Sequence, residues 1–349
     1  MQFPPATPVP PSPPLRWGIA GPGEIADTFA SAVLKWGTQK ITAVGSRSAQ
    51  RAANFATRHG IEQHWGSYRE LCESSVVDAV YISNHIDGHL ELAQVALDAG
   101  KHALVEKPLH YSAQAARSVL AHAKQHQLLM TEAMWTRYLP QSSVLRTIIQ
   151  SADFGTPEHL VATFAVDNRH IDRLWRPGTG SITYDMGIYP IALAYEVFGA
   201  PSRIDALGSV TEGGIDEAAT VKLSYPSGAT ATLVISGIAT HPCTATISGQ
   251  HQTITLEHPF FVPTTMQLAT KGLYADTMSW ADDTSIKGHE GLYYQAEWFG
   301  HYVAQGMTES PVHTHEEILS NLEAAEEIVR LVGGSVRPGH RTAARPTSL

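Results

Sequence analysis

The sequence is poor in the features that mark disulfide scaffolds, zinc sites and membrane proteins. Cysteine occurs only twice in 349 residues, as Cys72 and Cys243, and neither belongs to a Cys-x-x-Cys pair or a Cys/His cluster. This excludes a disulfide framework and a cysteine-based zinc site, and it indicates a reducing compartment. No apolar run approaches the roughly 18 to 20 residues needed to span a bilayer. We therefore expect a cytoplasmic protein without a membrane-spanning segment.

Clusters of basic charge are also lacking. The net charge is -9 and is spread along the chain, so no Lys/Arg run can follow a phosphate backbone or a membrane surface. Neither nucleic acid nor a membrane is expected as a partner. Hydrophobic residues make up 43% of the chain and charged residues 16%, which is typical of a soluble globular protein. The length allows two domains of ordinary size.

Four regions follow from composition and pattern. Residues 1–14 contain seven prolines and lack the basic and apolar parts of a signal peptide, so we expect a disordered lead. Residues 15–135 and residues 136–334 are predicted to form two folded domains, which differ in their strand and helix patterns. Residues 335–349 carry Pro, Gly, Arg and Thr without periodicity, which predicts a mobile tail.

Strand and helix patterns alternate in the first domain. Strand patterns occur at 16–20, 41–46, 79–83, 102–106 and 128–131. Helical patterns lie between them at 24–36, 49–58, 87–99 and 112–127. Such alternation predicts a doubly wound Rossmann domain, with a parallel sheet covered on both faces by helices.

The pattern changes in the second domain. Apolar and polar residues alternate with a period of two at 220–225, 229–235 and 253–256. This predicts an α+β domain with a mainly antiparallel, open sheet, so that the fold class of the whole chain is α/β. A helix is expected over 315–332, begun by a capping box of Thr314 and Glu317. Because an open sheet face needs cover, we expect a homodimer or homotetramer through this sheet.

A glycine-rich loop follows the first predicted strand and opens the first predicted helix. In Gly21-x-Gly23-x-x-Ala26 the glycines let the backbone approach a pyrophosphate at the helix N-terminus. Glu24 and Ile25 belong to the same loop and are cofactor-binding candidates with it. A tight strand-to-helix turn without a ligand would give the same pattern, but the surrounding alternation favours the nucleotide site.

The end of the second strand distinguishes NAD from NADP. An acidic residue there binds a ribose 2′-hydroxyl, whereas a basic residue accommodates a 2′-phosphate. The chain has Ser46 and Arg47 at this point, with Arg51 one turn later and no acid. NADP(H) is therefore preferred and NAD(H) is the alternative. If Arg47 is only a solvated surface charge, the preference loses its support.

The tripeptide Glu106-Lys107-Pro108 closes a predicted strand at the carboxyl edge of the sheet, where open α/β folds bind ligands. Pro108 can hold the preceding peptide in an unusual geometry, including cis, and so fix the direction of Lys107. On the tripeptide alone, an exposed strand end is an equally good explanation. Further cofactor-binding candidates near strand ends are Glu106, Ser83, Asn84 and His85.

A second group of candidate site residues lies between Gly178 and Tyr189. If a helix begins near Ser181, Asp185 and Tyr189 project from one face, and Gly187 lets a cofactor or another backbone come close. A tyrosine, with a reference pKa of about 10, becomes a usable acid or base beside an ammonium group such as that of a lysine. Such general acid–base catalysis contributes about 10²- to 10⁴-fold. Seen alone, this segment favours a buried tyrosine with a hydrogen-bonded hydroxyl.

Together these motifs resemble the Gfo/Idh/MocA oxidoreductase family over residues 15–333. The glycine loop, Glu106-Lys107-Pro108 and Asp185-x-Gly187-x-Tyr189 occur in the family's order and approximate spacing. The run 131–138 is most similar to the branch that contains dimeric dihydrodiol dehydrogenases and NADP-dependent D-xylose 1-dehydrogenases. The resemblance implies a Rossmann domain followed by a domain whose open sheet carries substrate and oligomer surfaces.

The resemblance also implies roles for individual residues. Lys107 would be the catalytic lysine and Tyr189 the acid/base tyrosine, with Asp185 in the same pocket. Many family members have histidine in place of Tyr189, so the tyrosine indicates the dihydrodiol/xylose and glucose–fructose branches. Trp135 and Phe164 match aromatic positions near the substrate.

Two further residues, His89 and Arg176, are candidates for binding. His89 matches a family histidine close to the cofactor. Arg176, just before the glycine-rich turn, is a substrate-binding candidate with an ordinary surface role as its alternative. The remaining histidines show no metal-like grouping in the sequence, so no metal site is expected.

The chain departs from the family pattern in two places. Residues 167–175 are more polar than the matching part of the dihydrodiol branch, which favours a sugar or polyol over an aromatic diol. The turn 178–181 replaces a common triple glycine and reshapes the approach to Tyr189.

Three hypotheses follow from the residues and the resemblance. The first is an NADP(H)-dependent oxidoreductase that transfers a hydride between nicotinamide and a hydroxyl or carbonyl carbon of a sugar, polyol or cyclic diol. The second is an oxidoreductase whose tightly bound nicotinamide is recycled between two sugars. The third is a non-catalytic NADP-binding sensor, against which the presence of both Lys107 and Tyr189 argues.

Overall fold

The computed structural model describes residues 2–272 and 274–336. These residues form two compact units, and the boundaries between the units are not those of a simple N- and C-terminal division. The first unit comprises 9–138 and 286–319, and the second comprises 2–8, 139–285 and 320–336. The domain boundaries drawn from the sequence stay predictions. The tail predicted for 335–349 lies outside the described residues from position 337 onward.

Strands, α-helices and shorter helical turns follow one another along the described residues. The strands are β1 (Arg16–Ala20), β2 (Lys40–Gly45), β3 (Gln63–Trp65), β4 (Ala79–Ile82), β5 (His102–Glu106), β6 (Met130–Ala133), β7 (Pro157–Ala165), β8 (Arg203–Val210), β9 (Asp216–Ser224), β10 (Thr230–Ser236), β11 (Ala245–Gly249), β12 (Gln252–Leu256), β13 (Met266–Thr270) and β14 (Thr277–Trp280). The α-helices are α1 (Glu24–Trp36), α2 (Ala49–His59), α3 (Tyr68–Glu73), α4 (His89–Asp98), α5 (Ala113–Gln125), α6 (Pro140–Ile149), α7 (Ile188–Phe198), α8 (Leu292–Ala304) and α9 (His315–Leu331). Single turns of 3-10 helix lie at Ile86–Gly88, Trp135–Tyr138, Asp172–Trp175 and Gly288–Gly291, and a π-helix lies at Thr183–Gly187.

A six-stranded sheet forms the centre of the first unit. Its order is β3-β2-β1-β4-β5-β6, and every neighbouring pair is parallel. All four residues of β4 are buried, as expected for a strand with helices on both sides. The predicted doubly wound Rossmann sheet is confirmed.

The sixth strand lies later than its sequence pattern predicted. The expected strand at 128–131 begins only at Met130. Gln127 adopts the left-handed conformation with φ of 54°, and Leu128 N–H donates to Ala123 O at 3.0 Å. The backbone of Leu128 therefore belongs to the turn that ends α5, and the strand begins after it.

An eight-stranded sheet dominates the second unit, in the order β14-β13-β12-β11-β7-β10-β9-β8. All neighbouring pairs are antiparallel except β7 and β10, which run parallel. The predicted mainly antiparallel sheet is thus confirmed. Phe164 of β7 lies on the face that α7 covers, because its ring contacts Tyr189 of that helix at a centroid distance of 5.5 Å.

The segment 286–319 is joined to the first unit by polar and aromatic contacts. Glu297 of α8 accepts hydrogen bonds from Thr38 N–H at 2.5 Å and from the Thr38 hydroxyl at 2.7 Å. The ring of Phe299 lies 4.9 Å from that of Trp17 in β1. The helix α8 therefore supports the sheet from a part of the chain far away in sequence.

The start of α9 uses only half of the predicted capping box. Thr314 Oγ1 accepts a hydrogen bond from Glu317 N–H at 3.2 Å, as predicted. The carboxylate of Glu317 instead binds the buried guanidinium of Arg137. Pairing with a buried arginine satisfies a charge that would otherwise be costly to bury, and this interaction takes the place of the second cap bond.

Within the described residues, no helix combines the length and apolar character that a membrane crossing requires.

Candidate functional site

The glycine loop between β1 and α1 depends on Gly21. Its φ is +100°, and a Cβ there would lie 2.5 Å from Asn84 N, so only glycine fits beneath the backbone that follows β4. At Gly23 a Cβ would meet only Gly21 O, at 4.0 Å, which leaves the space in front of α1 open. No side chain caps α1, whose first turn begins at Glu24. Free N–H groups facing open space fit the pyrophosphate of a dinucleotide.

The next residues of the loop differ in exposure. Glu24 is exposed, Ile25 is half-buried and Ala26 is fully buried beneath the helix. A small residue at position 26 lets α1 pack closely on the sheet, which is the structural part of the dinucleotide fingerprint.

The end of β2 carries serine and arginine side chains beside this loop. Ser46 is buried, and its Oγ accepts a hydrogen bond from Ser48 N–H at 3.2 Å. Arg47 is exposed. Arg51 Nη2 donates to Pro22 O at 3.3 Å, so its guanidinium reaches the glycine loop itself. This places a positive charge beside the loop, where the ribose end of a dinucleotide would lie.

The residues after β4 hold the glycine loop from below. Ser83 Oγ donates to Gly21 O at 3.0 Å, and Ser83 N–H donates to Ala20 O at 2.9 Å. His85 is exposed and lies 3.3 Å from the carboxylate of Asp87. Ser83 therefore stabilises the loop, whereas direct contact of Ser83, Asn84 or His85 with a cofactor stays a prediction.

Glu106 lies beside Lys107 at the end of β5. Its Oε2 accepts a hydrogen bond from Lys107 N–H at 3.2 Å, and the Tyr81 hydroxyl donates to its other oxygen. Burial raises the pKa of Glu106 to about 7, while the bond from Tyr81 and the charge of Lys107 act in the opposite direction. The carboxyl group thus titrates near neutral pH directly beside the candidate catalytic lysine. The Lys107–Pro108 peptide is cis.

His89 connects the loops after β4 and β5. The ring is buried, with Nδ1 3.2 Å from Pro108 O and Nε2 3.0 Å from Asn84 O. Burial lowers the pKa of His89 to about 4, so the ring is neutral at physiological pH. A neutral ring carries one N–H, so His89 donates to only one of these two carbonyls at a time, and its predicted contact with the cofactor stays a prediction.

A buried pair that sequence analysis missed holds the Lys107 loop from another side. Glu132 of β6 accepts a hydrogen bond from Leu109 N–H at 2.7 Å through Oε1. Its Oε2 lies 2.9 Å from Nε2 of His313, whose side chain is completely buried. Glu132 stands in the run 131–138, but nothing in the local sequence links it to His313, 181 residues away.

Another missed residue, His289, lies near Lys107. Its ring stacks on that of Trp135, with centroids 5.3 Å apart and planes 29° apart. Burial and, to a lesser extent, the ammonium of Lys107 hold the pKa of His289 below its ordinary value. The first unit thus brings Lys107, Trp135 and His289 to one place. A single histidine between two glycines, in Gly288-His289-Glu290-Gly291, gave no sequence signal.

In the second unit, a π-helix carries Asp185. The helix begins near Ser181 as expected, but Thr183–Gly187 is π-helical before α7 begins at Ile188. The local structure at Asp185 is therefore π-helical rather than the α-helix expected, and the shared face of Asp185 and Tyr189 stays a prediction. Such turns are rare and occur frequently at functional sites.

Asp216 holds the start of this π-helix. Its Oδ2 accepts a hydrogen bond from Thr183 N–H at 2.7 Å. The carboxyl group is buried, which raises its pKa, while hydrogen bonds from residues 181 and 183 oppose the shift. Sequence analysis missed Asp216, which lies at the beginning of a strand 33 residues away.

The immediate neighbours of Asp185 and Gly187 differ from those expected. Asp185 accepts a hydrogen bond from Arg173 Nη1 at 3.0 Å. A Cβ at Gly187 would lie 2.8 Å from Ile235 Cδ1, so its close protein neighbour is a side chain of β10 rather than another backbone, and the approach of a cofactor stays a prediction. Arg176 is exposed, and its carbonyl accepts Gly180 N–H at 2.7 Å. Arg173 is thus the arginine that the structure places against Asp185.

Aromatic rings surround Tyr189. Phe164 stacks on Phe261 at 4.3 Å with an interplanar angle of 7°, and the ring of Tyr189 lies 5.5 Å and 5.4 Å from theirs. Tyr189 is 8% exposed and Phe164 7%. The two predicted residues, Tyr189 and Phe164, therefore lie together. Phe261 was not predicted, because it lies in an irregular segment without a sequence pattern. Apolar ring faces of this kind suit the carbon face of a cyclic substrate.

One metal-like grouping exists in the part of the chain that the structure describes. Asp98, His122 and His126 each offer a ligand atom, and these atoms lie within 4.8 Å of one another. This corrects the expectation that the histidines form no such grouping. The sequence concealed it because Asp98 ends α4 whereas the histidines lie at the end of α5.

Two family models match most of the chain. One, described as an oxidoreductase family with an NAD-binding Rossmann fold, matches residues 15–134. The other, described as the GFO/IDH/MocA C-terminal domain, matches residues 143–255.

Curated relatives match along most of their length. The trans-1,2-dihydrobenzene-1,2-diol dehydrogenase of Homo sapiens is 31% identical over 326 residues, which cover 91% of this chain and 97% of the relative. The enzyme of the same name from Bos taurus is 30% identical over 330 residues, with the same shares of the two chains.

Solved structures share the fold at lower identity. A levoglucosan dehydrogenase in complex with NADH has a TM-score of 0.82 at 17% identity and covers 92% of this chain and 97% of its own. A 3-ketoreductase from Actinomadura kijaniata in complex with NADP and TDP-benzene has a TM-score of 0.77 at 24% identity, with 91% and 97% covered. At these identities the likeness shows the fold alone.

Replacing Glu106 with glutamine is expected to flatten the pH dependence of stability. Burial raises the pKa of Glu106 from 4.5 to about 7, so the folded chain keeps a proton that the unfolded chain releases. The free energy of unfolding therefore falls as pH rises through this window, by up to about 3 kcal/mol. Urea unfolding at about pH 5 and pH 8, with the exposed Glu24→Gln as control, measures the difference. A Glu106→Gln variant that retains the full pH dependence would show that this carboxyl is not its source.

Proposed function

The chain belongs to the Gfo/Idh/MocA oxidoreductase family, and on that premise we propose that it is an NADP(H)-dependent dehydrogenase of a sugar, polyol or related cyclic diol. The observation that carries the proposal is the support of the Lys107 loop, which Glu106, His89 and Glu132 hold through buried hydrogen bonds. A lysine that served only as a surface charge would not need three buried polar side chains around its backbone.

The family's first domain is an NAD-binding Rossmann fold, so the chain uses a nicotinamide dinucleotide. The preference for NADP(H) is our proposal. It rests on the absence of an acid at the end of β2, on exposed Arg47 and on the contact of Arg51 with Pro22 O. When bound, the nicotinamide supplies the acceptor or donor of the hydride.

The catalytic groups of the proposal are Lys107 and Tyr189. Tyr189 exchanges the proton of the reacting hydroxyl, and the ammonium of Lys107 lowers the pKa of the tyrosine and orients that hydroxyl. The assignment of this pair rests on the family motifs. Within its own unit, each of the two has a defined neighbour: Lys107 lies beside Glu106, and Tyr189 lies beside the stacked pair of Phe164 and Phe261.

Substrate recognition in the proposal combines ring faces with polar groups. Phe164 and Phe261 offer flat apolar surfaces in one unit, and Trp135 with His289 offers a stacked pair in the other. Asp185, paired with Arg173, can accept hydrogen bonds from substrate hydroxyls. The relatives named as diol dehydrogenases and the neighbour named as a levoglucosan dehydrogenase both support a cyclic substrate that carries hydroxyl groups.

The open face of the eight-stranded sheet supports a homodimer or homotetramer. Strand register aligns Val161 with Thr232, Lys222 and Asp205 on one side, and with Thr246 and Thr255 on the other. The next row contains Thr163, Val234, Thr220 and Leu207, of which Leu207 is 82% exposed. A face on which Leu207 and Val161 are exposed among threonines is suited to a partner.

Loss of the Tyr189 hydroxyl is expected to remove turnover while nucleotide binding remains. Tyr189→Phe should lower kcat by about 10²- to 10⁴-fold, the range for one general acid–base group. Lys107→Met should act similarly. The measurement is NADPH formation over a panel of aldoses, polyols and trans-cyclic diols, together with a binding titration. Tyr195→Phe on the same helix is the matched control.

Two outcomes would contradict this mechanism in different ways. Near-normal turnover of Tyr189→Phe would dismiss the tyrosine as the proton-transfer group. A wild-type chain that binds NADP tightly but turns over nothing in the panel, in either direction, would favour a non-catalytic sensor.

Removal of either arginine beside the glycine loop is expected to weaken NADP⁺ selectively. A charge-assisted hydrogen bond is worth about 1.5–3 kcal/mol, so Arg47→Ala and Arg51→Ala should each raise the Kd for NADP⁺ by about ten- to hundredfold. The Kd for NAD⁺, which lacks the 2′-phosphate, should change little. Arg69→Ala, an exposed arginine of the same unit, is the control. Equal weakening of both nucleotides would place the arginine on the shared pyrophosphate instead.

Positive charge on the open sheet face is expected to break the assembly. In a self-complementary interface each new lysine meets its own copy or its neighbours, so Val161→Lys combined with Thr232→Lys adds repulsion twice. Light scattering of the wild-type chain should give a dimer or tetramer, and the double variant a smaller species. Leu34→Lys, at an exposed apolar position of the first unit, is the control. A monomeric wild-type chain would dismiss the proposal.

A further inference from the structure

A small group of metal-binding side chains lies on the first unit, away from the strand ends that carry the candidate site. Asp98 is the last residue of α4, and His122 and His126 are one helical turn apart at the end of α5. His126 N–H donates to His122 O at 3.1 Å, so the helical turn between them is intact. Histidines four residues apart on one helix face present two nitrogens to a single ion.

The distances place these groups within reach of one ion. His122 Nε2 lies 2.8 Å from Asp98 Oδ1, the two imidazole rings lie 4.2 Å apart, and the three ligand atoms fit within 4.8 Å. Zinc–nitrogen bonds of about 2.0–2.1 Å in a tetrahedral site bring ligand atoms to roughly 3.3 Å of one another. Side-chain rotation alone can close the remaining gap, because Asp98 is 58% exposed and His122 24%.

The chemistry of the three groups suits a borderline divalent ion. Two imidazoles and one carboxylate favour Zn²⁺ and its neighbours over Ca²⁺ or Mg²⁺, which prefer oxygen ligands. Gln94 Nε2 donates to Asp98 Oδ1 at 3.0 Å and orients that carboxylate as an outer partner.

We propose that Asp98, His122 and His126 form a surface site for one Zn²⁺-class ion, with three protein ligands and water in the remaining position. Each histidine binds the ion through the lone pair of one ring nitrogen, and the bonds of His122 and Asp98 to the ion replace the hydrogen bond between them. The ion joins the end of α4 to the end of α5. It therefore stabilises the folded first unit in proportion to its occupancy.

The test is a zinc titration of the full chain after treatment with a chelator. Competition with a chromophoric zinc indicator should show one equivalent bound per chain. Asp98→Asn, His122→Gln and His126→Gln should each weaken binding at least about tenfold, since even the loss of an outer partner weakens metal affinity by this factor. His64→Gln, which removes an exposed histidine of the same unit, should leave the affinity unchanged.

A second measurement separates this site from adventitious binding elsewhere. Thermal unfolding of the wild-type chain should move to higher temperature with Zn²⁺ and not with Mg²⁺, and the shift should vanish in the three variants but persist in His64→Gln. Absence of saturable zinc binding by the wild-type chain would overturn the proposal. So would one equivalent bound with unchanged affinity in all three variants. Neither result depends on dehydrogenase activity.

Discussion

The carboxylate of Glu132 is the group on which the position of Lys107 most depends. One of its oxygens accepts Leu109 N–H and the other faces Nε2 of His313, so a fully buried charge is satisfied on both sides. A buried carboxylate that loses one partner becomes strongly unfavourable, which is why such a group fixes its neighbours firmly. It joins β6, the loop after β5 and the distant segment 286–319. The backbone of the Lys107 loop is therefore held by tertiary contacts as well as by Glu106 of its own tripeptide.

In the second unit, a buried carboxylate also accepts a backbone N–H. Asp216 accepts Thr183 N–H at the first turn of the π-helix, and the packing of Gly187 against Ile235 holds the other end. In both units a buried carboxylate binds a backbone N–H next to a candidate catalytic residue, and the residue itself stays on a regular element or directly after one. Groups held this way have little freedom to rotate away from a reacting atom, which is what preorganised sites require.

The sequence predicted what depends on local pattern. The bounds of β1, β5 and α1 were predicted to the residue, because alternation, glycines and helix-start signals involve only a few adjacent positions. Residues that act across long separations were missed: His313 gives no local signal for Glu132, and Asp216 none for Thr183. The π-turn at Thr183–Gly187 was also invisible, since a five-residue segment is too short for its sequence pattern to distinguish a π-helical turn from an α-helical one. The grouping of Asp98 with two histidines required the packing of the ends of two helices that are separated by a strand.

Burial acts on the groups around Lys107 in a consistent direction. It raises the pKa of Glu106 to about 7 and lowers that of His89 to about 4, and it also lowers that of His289. In each case the neutral form is favoured, because a charge loses hydration when it leaves water. As pH falls through the pKa of Glu106, its carboxyl group becomes neutral, and the ammonium of Lys107 then lies beside a neutral group. The positive charge of Lys107 can then stabilise an anionic oxygen that forms nearby. As pH rises, Glu106 ionises, and its negative charge weakens this stabilisation.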